Sequence, residues 1–114
     1  MQYQGSCHCG DISFTAEGEI GQVMECNCSY CSRKGHLMWF VPQDKLSYTV
    51  KGKMSTYRFN KHVIDHQFCA RCGIGVFGMA TGPDGKPMAA INARCLEGVD
   101  LDAFKRVHYD GRSV

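Results

Sequence analysis

Seven of the eight cysteines in this 114-residue chain fall in three tight groups: Cys7-x-Cys9, Cys26-x-Cys28-x-x-Cys31 and Cys69-x-x-Cys72. Cysteines two or three positions apart rarely bridge one another, because a disulfide constrains the separation of their Cα atoms. Around zinc, by contrast, Zn–S distances of about 2.3 Å at tetrahedral angles bring sulfurs to roughly 3.8 Å, which a tight turn delivers from C-x-C or C-x-x-C. The groups therefore read as metal ligands. The compartment agrees: MQYQGSCHCG has neither a basic start nor an apolar run, so no secretory leader is expected. A reducing, cytoplasmic setting keeps thiols free for metal.

At this length, residues 1–114 are expected to form a single domain with a modest core. A full structural zinc site can add about 10 kcal/mol of folding free energy, enough to decide whether such a chain folds. The formal charge of +2 is small and no tract of like charge occurs, so nucleic acid is not an expected partner. Four thiolates around Zn²⁺ would leave that site doubly negative and three singly so, bringing the loaded domain close to neutral. No segment approaches the roughly 18 apolar residues of a membrane span. Oligomeric state leaves no mark on the sequence.

The chain reads as all-β with little or no helix. DISFTA alternates, with Ile12, Phe14 and Ala16 on one face. QVMEC, HLMWFV, LSYTV, STYRF, VIDHQF, GVFGMA, MAAINA and KRVHY are further strand candidates. PDGK, Pro83 to Lys86, has the chemistry of a hairpin turn. Helix is expected only as a turn across SYCSRKG and a short piece near VDLDAF, with Asp100 as its N-cap. CHCGDISF and CARCGIGVF echo each other: a cysteine pair, a glycine, then a strand reaching Phe14 or Phe77. A glycine there permits a left-handed turn that points backbone N–H groups at sulfur. Both stretches read as zinc knuckles, making one four-cysteine site if the fold joins them.

CNCSYC stands apart. Three protein ligands with an open fourth position is the pattern of catalytic zinc. Alternatively Cys95 or a histidine such as His66 closes a structural site, or the triplet is redox-active or merely buried. Arg33 and Lys34 follow at once and are placed to offset thiolate charge or hold an anion, although exposed cations on a turn commonly do neither.

G-S-C-H-C-G at 5–10, C-N-C-S-x-C at 26–31, F-C-x-x-C-G at 68–73 and I-N-x-R-C-L at 91–96 resemble the family of glutathione-dependent formaldehyde-activating enzymes, which also contains a centromere-associated relative. The three cysteine groups match together, in order, over nearly the whole chain. The resemblance implies a small β-tent of antiparallel sheets pinned by two zinc ions. Cys7, Cys9, Cys69 and Cys72 would hold the structural zinc, and Cys26, Cys28 and Cys31 the zinc of the active site.

It also implies a carbon–sulfur lyase-type reaction, addition of a small-molecule thiol, glutathione, to a small aldehyde such as formaldehyde. A free thiol has a pKa near 8.5, so an open zinc site that favours its thiolate fits that chemistry. The competing reading is a non-catalytic, zinc-stabilised module that binds a thiol or a protein. A thiol–disulfide reductase fits less well, since only Cys95 lies outside the groups and it has no resolving partner in sequence. Arg33, Lys34, Arg71 and Arg94 are the candidates for glutathione's carboxylates. His62 and His66 are weaker candidates as ligand or acid–base group, and His8 is expected to point away from the metal. Trp39, Phe40 and Met38 read as core, with an aromatic able to wall off water beside an open zinc. YDGRS reads as a turn, with Asp110 of interest only if it lies near the site.

Overall fold

The alternation in Ile12–Glu17 buries Ile12, Phe14 and Ala16 on one face of a strand, to 0%, 4% and 1% exposure. The computed structural model describes residues 1–59, 61 and 63–113; His62 therefore lies outside the described residues. Its strands are β1 (Gln2–Ser6), β2 (Ile12–Glu17), β3 (Gln22–Cys26), β4 (Met38–Pro42), β5 (Leu46–Val50), β6 (Met54–Tyr57), β7 (Asp65–Cys69), β8 (Gly75–Thr81), β9 (Pro87–Asn92) and β10 (Lys105–Tyr109). A single short α-helix, α1 (Ser29–Lys34), appears among the described residues. The protein is all-β, as its sequence implies.

The strands form two sheets, a three-stranded one in the order β1-β2-β5 and a seven-stranded one in the order β10-β3-β4-β9-β8-β7-β6. Among the described residues every ladder is antiparallel except β3–β10, which is parallel, a departure from the purely antiparallel expectation. Parallel pairing needs a long crossover, and here the chain between the two partners includes most of the domain. β1 was not foreseen: QYQGS lacks apolar alternation, and its pairing with β2 is a tertiary event at a sheet edge. β7 begins at Asp65 rather than Val63, β6 ends at Tyr57 rather than Phe59, and the expected helix near VDLDAF is a single 3₁₀ turn, Leu101–Ala103, capped by the Asp100 side chain. The PDGK turn is present, with Gly85 at φ 80° between β8 and β9.

The core lies between the sheets. Phe14 of β2 meets Phe77 of β8 edge-to-face at 5.8 Å, and Tyr3 meets Trp39 at 5.4 Å. Full burial of side chains of this size is worth roughly 1.5–3 kcal/mol each. Register then decides what the other face of the large sheet carries. Trp39, Ile91 and Phe77 are paired neighbours across β4, β9 and β8, and all three are buried in the core. One residue along, the row is Phe40, Ala90, Gly78 and His66 across β4, β9, β8 and β7. Side chains alternate between faces, so this second row points away from the core. Between Phe40 and His66 it carries only a methyl group and a hydrogen. The outer face is therefore hollow in its middle. Among the described residues no helix is long and apolar enough to cross a membrane.

Candidate active site

Two groups of cysteines converge in space. Sγ atoms of Cys7, Cys9, Cys69 and Cys72 lie within 4.8 Å of one another, as do those of Cys26, Cys28 and Cys31. In the first group Cys7 and Cys9 sulfurs are 3.7 Å apart and Cys9 and Cys69 sulfurs 3.6 Å, close to the roughly 3.8 Å set by tetrahedral zinc. Gly10 and Gly73 follow each pair in the left-handed region, at φ 84° and 81°. The turns aim backbone amides at sulfur: Ile12 N donates to Cys7 Sγ at 3.4 Å, and Arg71 N and Cys72 N each donate to Cys69 Sγ at 3.4 Å. Burial raises the Cys72 thiol, but the amides of Cys9 and Ile74 and the neighbouring thiols outweigh it and bring the group down to about 6. This donor set fits a closed four-thiolate metal site. The two sequence knuckles, 60 residues apart from Cys9 to Cys69, meet as the echo between them suggests.

The triplet is built by a strand end running into a helix. Cys26 is the last residue of β3, Cys28 is the N-cap of α1, and Cys31 lies one turn in. Cys28 N donates to Cys26 Sγ at 3.5 Å, and Cys31 N to Cys28 Sγ at 3.3 Å. Gly35 ends the helix at φ 70° and its amide bonds Cys31 O at 2.9 Å. That reversal brings His36 back beside the sulfurs, with Nε2 at 3.2 Å from Cys31 Sγ. Burial holds the Cys28 thiol up, but the amides of Cys31 and Tyr30 and the flanking thiols bring it below the ordinary range. Burial raises the Cys31 thiol. Three converging sulfurs with amide donors behind them fit a metal with one position left over. Neither Cys95 nor His66 joins them: the Cys95 thiol faces Gly75 O at 3.8 Å.

The triplet borders a cavity of about 480 Å³, with Cys26, Cys28 and Cys31 all in its lining. Gly78, Ala80 and Ala90 floor it, with Met88 of β9 beside Ala80; Met24, Met38 and Phe40 come from β3 and β4 on one flank, and Phe59, Val63, Ile64 and His66 from the segment into β7 on the other. Its remaining lining residues are His36, Lys61, Tyr109 and Gly111. Trp39 is core as expected, whereas Met38 and Phe40 belong to the cavity. His66, 8% exposed, packs in one aromatic cluster with Tyr30 at 4.3 Å and Phe59 at 5.2 Å, which also touch each other at 5.3 Å. Burial, then the charge of Lys34, lowers its pKa.

The segment after β10 is clasped to the triplet. Asn27 Nδ2 donates to Asp110 Oδ1 at 2.9 Å, Arg112 N donates to Asn27 Oδ1 at 2.9 Å, and Ser113 Oγ donates to Asp110 Oδ2 at 2.6 Å. These bonds draw the Asp110 carboxyl below the usual range. Asp110 is thus a clasp beside the site. Gly111 sits so close that a Cβ there would lie 2.5 Å from Cys26 Sγ.

The four cations that the sequence offers for glutathione's carboxylates have these neighbours. Lys34 lies 5.5 Å over the Tyr30 ring, and burial lowers its pKa, opposed by the nearby Cys31 and Cys95 sulfurs. Arg33 Nη1 donates to Ser29 O of its own helix at 2.8 Å, Arg94 Nε to Gly35 O at 3.1 Å, and Arg71 faces Asp11 at 3.6 Å. His8 is exposed. Sequence reading missed His36, the cavity methionines and Gly111. For His36 a signal existed: a glycine that ends a helix carrying a ligand, followed directly by a histidine.

Comparison with known proteins agrees with this architecture. The crystal structure of a Rhodobacter sphaeroides protein superposes with a TM-score of 0.77 over 91% of this chain and 99% of its own, at 24% identity, a likeness of fold. A Talaromyces marneffei protein that bears the name of the glutathione-dependent formaldehyde-activating enzymes is 30% identical over 78 residues, 63% of this chain. The match takes in 42% of that relative, so the chain spans less than half its length. The family model described as glutathione-dependent formaldehyde-activating enzyme matches residues 2–107, taking in every cysteine of both clusters. With this match spanning nearly the whole sequence and both cysteine clusters, the chain belongs to the family of glutathione-dependent formaldehyde-activating enzymes.

Proposed function

We propose that the protein is a carbon–sulfur lyase-type enzyme that adds a small-molecule thiol, with glutathione the leading candidate, to a small aldehyde at Cys26, Cys28 and Cys31. One observation carries this reading: three sulfurs converge, without a fourth ligand among the described residues, at residues that line a cavity. A zinc ion bound there would supply positive charge that favours the deprotonated form of an incoming thiol. The remaining work falls to the chain. Cys26, Cys28 and Cys31 hold the ion, and backbone amides of Cys28 and Cys31 fix the first two sulfurs. His36 orients Cys31. His66, kept neutral by burial, takes the thiol proton and returns it to the carbonyl oxygen. The apolar walls exclude water from the carbon under attack. Bookkeeping is simple: one C–S bond forms, the C=O π pair goes to oxygen, and the thiol's proton follows it.

The four-cysteine cluster is a staple in this reading and takes no part in the reaction. Native mass spectrometry under reducing conditions tests the proposal. Two zinc ions per chain are expected, with one glutathione retained while the triplet is intact. Cys28→Ser should lose one zinc, the retained thiol and adduct formation together. Retention of all three would sink the reading, and two zinc ions with no thiol uptake would favour a non-catalytic module.

A further inference from the structure

The lining of the cavity says what it is built to hold. Formaldehyde is close in size to a water molecule, whose share of liquid volume is about 30 Å³, and it needs no chamber of about 480 Å³. Glutathione carries two carboxylates and an ammonium at neutral pH, and charges leave water only where they are paired. Among the described lining residues Lys61 is the single cation, and no arginine or carboxylate is present. Arg33, Arg71 and Arg94 are engaged elsewhere. What the chamber does offer is methyl, methylene and thioether surface around a small-residue floor, and methionine walls adapt to varied apolar shapes.

Resting on the thiol–aldehyde reading above, we propose that the carbonyl substrate is an aldehyde bearing an apolar chain of several carbons or an aromatic ring. Its tail fills the chamber over Gly78, Ala80 and Ala90, and its carbonyl sits at Cys26, Cys28 and Cys31. The thiol enters from the rim, where its charged ends stay in water near Lys61. The product is the hemithioacetal: sulfur bonds the carbonyl carbon, and the thiol proton ends on the oxygen. Nothing is oxidised or reduced.

Steady-state kinetics on the zinc-loaded full chain test this. With glutathione held constant, formaldehyde, acetaldehyde, butanal, hexanal and benzaldehyde are compared. Each buried methylene should raise kcat/KM about three- to fourfold, so hexanal should exceed acetaldehyde by about a hundredfold. Ala90→Leu, or Ala80→Val should the first variant lower the thermal midpoint severely, should shrink that ratio by at least about tenfold, because the added carbons occupy the tail's place. A flat series in which formaldehyde turns over would overturn the proposal and leave the thiol–aldehyde reading standing. A gain found only when the thiol is lengthened, with the aldehyde fixed, would also overturn it. No adduct with any aldehyde, formaldehyde included, would sink the underlying reading and this one with it.

Discussion

His36 Nε2 lies 3.2 Å from Cys31 Sγ, and the histidine is 7% exposed. Burial, followed by the charges of Lys34 and His66, pushes its pKa down to about 3, so the ring is neutral at pH 7. A neutral ring with its proton on Nε2 donates to a deprotonated Cys31, orienting that sulfur without cancelling its charge. Groups one step behind a ligand commonly affect metal affinity or activity by about 10–100-fold. His36→Phe keeps most of the volume and removes the donor. It should weaken zinc retention at the triplet by about that factor in a chelator competition, with His36→Gln restoring part of the loss. Unchanged retention in His36→Phe would make the contact incidental.

The pH dependence of adduct formation should follow His66. Burial lowers its pKa first, Lys34 lowers it further, and Asp65 opposes both. The neutral ring is the competent form, so activity should hold as pH falls through 6.5, the ordinary value, and decline only below it. Lys34→Met removes a repelling charge and should move that acid limb up; Asp65→Asn should move it down. His66→Gln should abolish the limb and cost about 10²–10⁴-fold in rate. Stability follows the same sign. Below pH 6.5 the unfolded chain binds a proton at His66 that the folded chain refuses, so this contribution is complete above 6.5 and is lost as pH falls toward the folded value. Displacement of the limb in the opposite direction by Lys34→Met would remove His66 from the mechanism.

The triplet was legible because its geometry is local: Cys26, Cys28 and Cys31 meet through one strand end and one helical turn. Each half of the four-cysteine site is as local, and their echo suggested the pairing that joins them across 60 residues. Strands such as Leu46–Val50 and Lys105–Tyr109 coincide with their apolar runs. The cavity was illegible because it is a product of register. Phe40, Ala90, Gly78 and His66 share one row only after four strands from distant parts of the chain have paired. Met38 and Phe40 flank Trp39 in sequence and look like core with it, yet alternation sends them to the opposite side of the sheet. The clasp between Asn27 and Asp110, 83 residues apart, depends on the parallel pairing of β3 with β10, which no local pattern announces.

Gly111 tests that clasp. A methyl group at this position would lie 2.5 Å from Cys26 Sγ and 3.2 Å from Cys28 Cβ, nearer than carbon and sulfur pack, so the turn or the sulfurs must move. Gly111→Ala should lower zinc content from about two per chain toward one, leaving the four-cysteine site filled. Metal analysis after dialysis reads this directly. Two zinc ions held as tightly as in the unsubstituted chain would mean the segment yields freely and takes no part in shaping the site.

The two clusters should differ in kind when broken. Cys69 is 0% exposed, accepts two backbone amides, and ties the β7 end to the turn after β1. A structural zinc site can contribute about 10 kcal/mol or more, comparable to the whole stability of a small domain. Cys69→Ser should therefore abolish cooperative unfolding and leave a chain that is unfolded or soluble only in part. Cys28→Ser leaves the core between the sheets untouched and removes one ligand at the edge of the cavity. Its unfolding should remain cooperative, with the midpoint lowered by several degrees at most, while adduct formation falls below detection. Circular dichroism melts and zinc content on both variants separate the roles. A Cys28→Ser protein that fails to fold, beside a Cys69→Ser protein that folds and turns over, would reverse the assignment of staple and active site.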